Sequence, residues 1–429
     1  MVFIRIIYKK DSKCNLCTYF SIKYVIIIAL LRKFLQGGKN LKPTIRKTGL
    51  SDNSKLFLTI GILCIATRLI IYFMGYTGVV FLEKKDMSFI QSFSNIWSKW
   101  DANHYLYLAQ NWYTAEGEPR LYIVFYPLYP VIIKVFSVFL HNVFLSSIIV
   151  SNVSLIVGCF YLYKLAALDY DEQVSWNSVK YLLIFPFSFF LGAPFTESLF
   201  IALTVMTFYY MRKENWRLVG IIGLMAALTR TQGGLLFVGG IFEYCISSNL
   251  LQVIKSSRWK DAVKGFSARG IYILLIPMGP LIYLYLNKYI TGEWFTFLRY
   301  QKEHWHQSFG FIGNVVKDQV KSMFSATPEM KLCIHIPQVV LFVLVLFIIV
   351  YGFKKMRMSY LIYMVMYIIM SYSSTWLISG ARYMTGLFPI YIGLALICRG
   401  KISSFIFTFA SVLFLCLYIL AFVSGRPVM

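Results

Sequence analysis

Long apolar runs separated by short charged segments dominate the pattern of this chain. A helix needs about 20 residues to cross the hydrocarbon core of a bilayer, so such runs predict membrane-spanning helices. The predicted spans lie near residues 56–76, 143–163, 181–195, 199–211, 271–287, 332–352, 358–376, 383–398 and 402–423.

Two further segments complicate the count of spans. Residues 218–250 are apolar but interrupted at 229–234, and basic segments flank them on both sides. If both flanks face the cytoplasm, this stretch forms a hairpin of two short spans with Arg230 near its outer end. Residues 121–141 contain Pro127 and Pro130, so they either re-enter the membrane or cross it.

These patterns predict an all-α polytopic membrane protein with about ten transmembrane helices. Residues 56–429 are predicted to form a single membrane-embedded domain, and residues 1–55 a basic cytoplasmic lead-in. The composition agrees, because the chain is 58% hydrophobic and 14% charged, whereas about a quarter of the residues of a soluble domain are charged.

The net charge of +24 is concentrated in the short segments between apolar runs. Cytoplasmic loops of membrane proteins are typically rich in Lys and Arg and meet anionic lipid. The charge therefore indicates membrane lipid as a partner and argues against nucleic acid. The loop 77–120 is nearly balanced in charge, so it is predicted to lie outside, together with residues 288–331.

The first candidate for chemistry lies in this first outer loop. Asp101 and His104 are three residues apart, so on a helix they share one face. An apolar stripe lies nearby, formed by Tyr105, Leu108, Ala109 and Trp112. These residues predict an interfacial helix that presents a carboxylate and an imidazole at the outer surface, with Trp100 before them. A carboxylate placed there can act as a general base. The alternative is an interfacial helix whose polar residues only face water.

Two further candidates lie at predicted membrane boundaries. Tyr126 stands between aromatic residues and two prolines, which suits either a cavity wall or an ordinary aromatic entry to a span. Glu197 lies between two apolar runs, where an acid is costly unless it lines a cavity or is paired. The alternative for Glu197 is a solvated outer turn.

Arg230 is the candidate for binding a phosphate. The guanidinium group matches phosphate geometry, and the adjacent Gly233 and Gly234 would let backbone amides approach an anion. The alternative is an arginine that snorkels to the interface. Arg68 and Arg382 raise the same question with less sequence context.

The second outer loop supplies Gln301 and Trp305, whose side chains suit hydrogen bonding to and stacking on a sugar. The alternative is a peripheral amphipathic helix. His304 and His306 have only Glu303 as a nearby acid, so the spacing predicts no zinc site. No cofactor is indicated, and a requirement for a divalent metal is left open.

Taken in order, these segments resemble the PIG-V-type mannosyltransferases, which comprise the second GPI mannosyltransferase and its bacterial relatives. The resemblance is carried by Trp100-Asp101 with His104-Tyr105 and by the segments 125–130, 194–198 and 229–234. Residues 292–305 are similar to the bacterial branch. The resemblance covers roughly residues 55–310, and Tyr105 departs from it, since eukaryotic members usually have Phe there.

The resemblance implies a GT-C architecture, with an active site on the extracytoplasmic face of the cell membrane. It implies an inverting glycosyltransferase that takes a hexose, typically mannose, from a polyprenyl-phosphate donor. In that scheme Asp101 is the catalytic base. We expect His104 to orient it and Arg230 to hold the leaving phosphate, while the acceptor is a glycan, lipid or protein that the sequence does not identify.

The alternative from another functional class is a multi-pass transporter or lipid flippase. Transporters often show inverted repeats with interrupted helices in both halves, and no sequence repeat is evident here. Proton-coupled transport usually needs carboxylates within the membrane, and the predicted spans contain few.

The predicted topology can be tested with two single-cysteine substitutions. Ile90→Cys in the first outer loop and Ala262→Cys in a basic loop should react with an impermeant thiol reagent from opposite sides of the membrane. Labelling of both from the same side would contradict the topology and the shared outer cavity.

Overall fold

The computed structural model describes residues 51–83, 89–248 and 269–428. It is 79% helical, and the described residues contain no strand, so the all-α prediction is confirmed. Most of the predicted lead-in 1–55 and of the basic loop 255–269 lies outside the described residues. Residues from Ile60 onward form one compact unit; of the other unit, which ends at Thr59, the structure describes only the last residues.

The helices of six or more residues, leaving aside 3-10 turns, are numbered in chain order through the described residues. They are α1 (Asp52–Glu83), α2 (Phe89–Trp97), α3 (Asp101–Asn111), α4 (Leu128–Leu140), α5 (Val143–Ala166), α6 (Glu172–Ile184), α7 (Glu197–Arg212), α8 (Trp216–Ala227), α9 (Leu236–Ser247), α10 (Leu275–Thr291), α11 (Thr296–His304), α12 (Ile312–Ser325), α13 (Ile336–Gly352), α14 (Met358–Tyr372), α15 (Gly380–Thr385), α16 (Pro389–Ile397) and α17 (Lys401–Val423).

Several helices are long and apolar enough to cross a bilayer, as expected of a multi-pass membrane protein. Within the described residues there are five, each over a predicted span: Asp52–Phe81, Val143–Ala166, Gly270–Thr291, Pro328–Gly352 and Lys401–Val423. A sixth follows if the bent pair Glu118–Val124 and Leu128–Leu140 is one span. The count of about ten spans is therefore not confirmed.

The remaining predicted spans fall on shorter helices because the chain is interrupted inside the protein. The run 181–195 was expected to form one span, but α6 ends at Ile184, just before Pro186, and α7 begins at Glu197. The connecting residues are almost all buried. Irregular backbone at membrane depth is tolerated where protein surrounds it, so a buried break of this kind is compatible with a membrane-embedded bundle.

Arg68 on α1 holds this interruption together. Its guanidinium group donates to the backbone carbonyl of Leu183 (Nη2···O 2.9 Å) and to that of Ser188. A cation at the end of α6 also suits the negative pole of the helix dipole. Nearby, the hydroxyl of Tyr72 donates to the carbonyl of Gly192 at 2.7 Å. The contacts of Arg68 are thus those of a structural residue that caps a helix and a turn.

The segment 121–141 bends sharply, as its two prolines suggested. A 3-10 helix at Glu118–Val124 and α4 meet at an angle of 113°. After the bend, the backbone amide of Leu128 donates to the carbonyl of Leu228, the residue that follows α8 (3.1 Å). The bend therefore places residues 125–128 beside the turn between α8 and α9.

Helix α3 lies where a helix was expected, but its apolar stripe has a different partner. Tyr105, Leu108 and Ala109 are buried in the protein, and the ring of Tyr105 packs edge-on against Phe125 and Tyr129. Only Trp112 of that stripe is exposed. The stripe thus anchors α3 to the body of the protein instead of covering lipid, and the interfacial placement of α3 is not confirmed.

Helix α7 is fixed by charges at both ends. At its C-terminus Arg212 pairs with Asp169 (2.5 Å) and approaches the buried Glu243 on α9 (3.7 Å). Arg357, which precedes α14, completes the cluster with a 2.5 Å contact to Glu243. Because a buried carboxylate is stable only when it is paired, this cluster ties together the ends of α7, α9 and α14.

We expect Arg357→Ala to lower the stability of the purified protein by about 2 kcal/mol, because Glu243 stays buried with only the more distant Arg212 as a partner. The matched control is Arg399→Ala, whose partner Asp171 is exposed, and its cost should be below about 1 kcal/mol. Thermal unfolding in detergent measures both. Equal effects of the two substitutions would contradict a structural role for the buried cluster.

Candidate functional site

Asp101 forms an ion pair with an arginine that lies 281 residues away in the sequence. Its Oδ2 accepts a hydrogen bond of 2.6 Å from Nη2 of Arg382 on the short helix α15. Asp101 is the first residue of α3, so its carboxylate also lies at the positive end of that helix. The side chain of Asp101 remains 26% exposed, whereas that of Arg382 is 7% exposed.

Glu197 extends this ion pair into a chain of four charges. Its Oε1 lies 2.8 Å from Nη1 of Arg230 and 3.2 Å from Nε of Arg382. The ion pairs run in the order Asp101–Arg382–Glu197–Arg230, and we call these four residues the four-charge cluster. Two acids and two arginines leave it with a formal charge of zero, which is the condition under which charged groups tolerate burial.

Aromatic rings enclose the two arginines. The guanidinium carbon of Arg382 lies 5.6 Å from the ring centre of Phe190 and 5.4 Å from that of Phe195. The ring of Tyr383 lies within 5.7 Å of Arg382 and 5.1 Å of Arg230. These distances are typical of cation–π contacts, so the rings help to compensate for the lost hydration of the cations.

Breaks between helices place these charged side chains in the cluster. Glu197 is the first residue of α7, directly after the buried break that carries Phe195. Arg230 lies in the turn between α8 and α9, and this turn depends on Gly233. A Cβ at Gly233 would lie 2.2 Å from the carbonyl oxygen of Ala226, so no larger residue fits there without moving the backbone.

His104 lies one helical turn after Asp101 and packs against an aromatic wall. Its ring centre is 4.4 Å from that of Tyr122 and 5.0 Å from that of Phe125. Burial lowers the pKa of His104 below its ordinary value, while the charge of Asp101 opposes this shift. Burial thus favours the neutral form of this imidazole, and its Nδ1 has no hydrogen-bond partner among the described residues.

Trp100 precedes the helix in a strained backbone conformation. Its φ of 56° and ψ of −132° place a bulky residue in the left-handed half of the map, which costs on the order of 1–3 kcal/mol. Such strain persists only where the surrounding structure enforces it, and it tends to occur at functional sites. Here it lies directly before α3, whose first residue is Asp101.

Tyr126 lies close to the turn that carries Arg230. Its ring stacks on that of Tyr283 with a centre-to-centre distance of 4.0 Å, and its hydroxyl group interacts with the side chain of Thr231, the residue after Arg230. The bend at 125–128 is what brings it there. Tyr126 therefore lies beside the four-charge cluster, on the side of Arg230.

The segment 288–331 is brought to the site through Trp305. Its ring packs edge-on against Phe125, the residue that also contacts His104, with ring centres 6.2 Å apart. Gln301 is half-buried, and its backbone carbonyl accepts hydrogen bonds from the amides of Trp305 and Gln307. The contribution of Gln301 in this structure is thus to shape the end of α11.

The structure therefore brings Asp101, Glu197 and Arg230 into one cluster, with His104, Tyr126 and Trp305 around it. The residue that joins them is Arg382, for which the sequence raised the same question as for Arg230, phosphate binding or snorkelling, with less context. Nothing in the sequence pointed to its partners. Among the residues described, no group of three or more His, Cys, Asp or Glu side chains is placed to hold a metal ion.

A double-mutant cycle should detect the ion pair between Asp101 and Arg382. We expect Asp101→Asn and Arg382→Gln each to destabilise the protein, and the double variant to lose less than the sum by about 1–3 kcal/mol, because residues in one ion-pair network couple. The control cycle uses the exposed pair Glu293 and Arg299, where solvent screening should make the coupling much weaker. Additive effects at Asp101 and Arg382 would contradict the pairing.

We compared the sequence with protein-family models and with curated proteins, and neither comparison found a match. The assignment of chemistry to this site therefore depends on its own geometry and on the sequence motifs that form it. The features that bear on it are the partly exposed carboxylate of Asp101, two buried arginines and a surrounding set of aromatic rings.

Proposed function

We propose that this protein is a membrane-embedded inverting glycosyltransferase of the GT-C type. Its donor is a hexose, most readily mannose, linked to a polyprenyl phosphate, and its acceptor is a glycan, lipid or protein on the extracytoplasmic face of the cell membrane. The ordered motifs that resemble PIG-V-type enzymes support this proposal, and the clustering of three of those motifs adds to it.

The observation that carries the proposal is that the four residues of the four-charge cluster differ in exposure to solvent. Glu197, Arg230 and Arg382 are all at least 90% buried, while the side chain of Asp101 retains 26% of its exposure. A base must reach the proton that it abstracts, so Asp101 is the carboxylate suited to that role. The other three charges hold it in place.

In the proposed reaction a hydroxyl oxygen of the acceptor attacks the anomeric carbon of the donor sugar. The new carbon–oxygen bond forms as the bond to the phosphate oxygen breaks, and the electron pair of the broken bond stays on the polyprenyl phosphate. Asp101 takes the acceptor proton, and attack from the opposite face inverts the anomeric carbon. The leaving phosphate needs no protonation, because it is already a stable anion.

Arg230 and Arg382 together would serve the leaving phosphate. The sequence suggested Arg230 alone, but Glu197 holds both guanidinium groups within 3.2 Å of one carboxylate oxygen. Guanidinium groups match phosphate geometry, and because both arginines are at least 90% buried in this structure, this role requires the site to open when the donor binds. His104, Tyr126 and Trp305 supply the aromatic and polar surface on which a sugar would stack and be oriented.

A transporter or lipid flippase is the second candidate, and one observation favours it. Glu197 is 1% exposed, and its Oε2 has no hydrogen-bond partner among the described residues, which is the kind of buried carboxylate that proton-coupled transport uses. The two candidates can be distinguished by what the protein does in a reconstituted membrane, which is either to transfer sugar or to move lipid. Reconstituted protein that moves a lipid across the bilayer without transferring sugar would favour the transporter.

The proposal predicts that Asp101→Asn lowers sugar transfer by about 10²–10⁴-fold, because a positioned base contributes roughly that factor. The assay uses protein reconstituted in lipid with polyprenyl-phosphate mannose and a panel of acceptors. Asp101→Glu should restore little of the lost transfer activity, because displacing the carboxylate by about 1 Å in a positioned site lowers the rate strongly. His104→Ala should have a smaller effect if His104 only orients the reacting groups.

The matched control is Glu116→Gln, which removes an exposed acid from the same outer loop and should transfer sugar like the wild type. Each variant is compared at equal amounts of inserted protein, with thermal unfolding as the check of folding, because Asp101 also pairs with Arg382. Near-normal transfer by well-folded Asp101→Asn would exclude Asp101 as the base.

A further inference from the structure

The position of Arg382 depends on a short irregular segment. Helix α15 has six residues, and Arg382 is the third of them. Before it, residues 373–379 connect α14 to α15 without helical structure, and Trp376 adopts a φ of 50°. A helix this short has little stability of its own, so the orientation of Arg382 must be set by whatever holds this segment.

Two buried glutamines hold the segment at one backbone carbonyl. Nε2 of Gln319 on α12 donates to the carbonyl oxygen of Leu377 at 2.9 Å, and Nε2 of Gln338 on α13 donates to the same oxygen at 3.1 Å. Gln319 is 6% exposed and Gln338 is fully buried. A carbonyl oxygen has two lone pairs, so the two amides satisfy its full hydrogen-bonding capacity.

The carbonyl ends of the two glutamines differ, because Gln319 has a polar partner there and Oε1 of Gln338 has no hydrogen-bond partner among the described residues. Oε1 of Gln319 lies 2.7 Å from Nδ1 of His335. Oε1 of Gln338 lies so close to Gly380, the first residue of α15, that a Cβ added there would be 2.5 Å from it. Gln338 thus touches the segment both before and at the start of α15, and it leaves no room for a side chain at position 380.

We infer that Gln319 and Gln338 are positioning residues, which fix Arg382 toward Asp101 and Glu197 through the carbonyl of Leu377. The inference rests on the proposed function in one respect, that the orientation of Arg382 matters for transfer. Leu377 and Arg382 are five residues apart, so a shift of the carbonyl would carry the guanidinium group with it. Misplacement by about 1 Å can lower the rate of a positioned site by about 100-fold.

The test replaces the two glutamines with methionine, which keeps most of the length and volume but removes the amide. Hydrogen–deuterium exchange of the backbone amides at 378–386 reports the order of the segment without any assay of activity. Transfer of mannose from polyprenyl-phosphate mannose is measured in parallel on the same protein. The control is Gln173→Met. Gln173 also donates to a backbone carbonyl, that of Arg399 at 2.9 Å, but it is exposed and lies outside the four-charge cluster.

In Gln319→Met/Gln338→Met we expect exchange at 378–386 to rise by about tenfold or more, with α5 and α17 unchanged. The kcat for transfer should fall by about 10–100-fold, while Gln173→Met changes neither measurement. If exchange rises throughout the double variant, the single variant Gln319→Met is used instead, because Gln338 still holds the carbonyl. It should show the same two effects in the same direction but smaller.

Two outcomes would overturn the inference: unchanged exchange at 378–386 in the variants, or locally increased exchange with a wild-type kcat in an active preparation. Failure of the proposed function has a different signature. In that case the wild-type protein transfers no sugar from any donor, while the local rise in exchange still shows that the two amides order the segment before Arg382.

Discussion

The structure around the site depends on the burial of one carboxylate, that of Glu197. A buried carboxylate is strongly destabilising unless cations and hydrogen bonds compensate for its lost hydration. Arg230 and Arg382 supply that compensation at 2.8 and 3.2 Å; Arg230 follows the next helix, α8, and Arg382 comes from near the C-terminal end of the chain. Satisfying Glu197 therefore forces the turn after α8 and the short helix α15 to meet at the start of α7. Asp101 joins the cluster because Arg382 has a further N–H group to donate.

This constraint explains why so many apolar runs are interrupted. The break before α7 supplies Glu197 and the rings around Arg382, the turn between α8 and α9 supplies Arg230, and the segment before α15 supplies Arg382. Each break leaves backbone groups without helical partners, and Arg68, Gln319 and Gln338 donate hydrogen bonds to some of them. The polar residues of the interior therefore serve both the backbone and the site.

The two ends of α7 are held in the same physical way but have different exposure. At one end Glu197 lies between two arginines, and at the other end Arg212 lies between Asp169 and Glu243. The second cluster has no aromatic enclosure like that around Arg382, and its charges fasten helix ends together. The arginines of the first cluster are also more deeply buried, with side-chain exposures of 7% and 9%, against 13% for Arg212 and 29% for Arg357. That difference is why we assign the chemistry to the end of α7 that carries Glu197.

The sequence by itself determined the membrane class, the all-helical fold and five long apolar helices, because hydropathy is a local property of the chain. It also singled out Asp101, Glu197 and Arg230, since charged residues next to apolar runs are costly without a purpose. Only the tertiary structure decided that Arg382 joins them, that the stripe of α3 is covered by protein and that several apolar runs are interrupted inside the protein. Those outcomes depend on which segments meet, such as the pair 281 residues apart, and local patterns carry no record of such contacts.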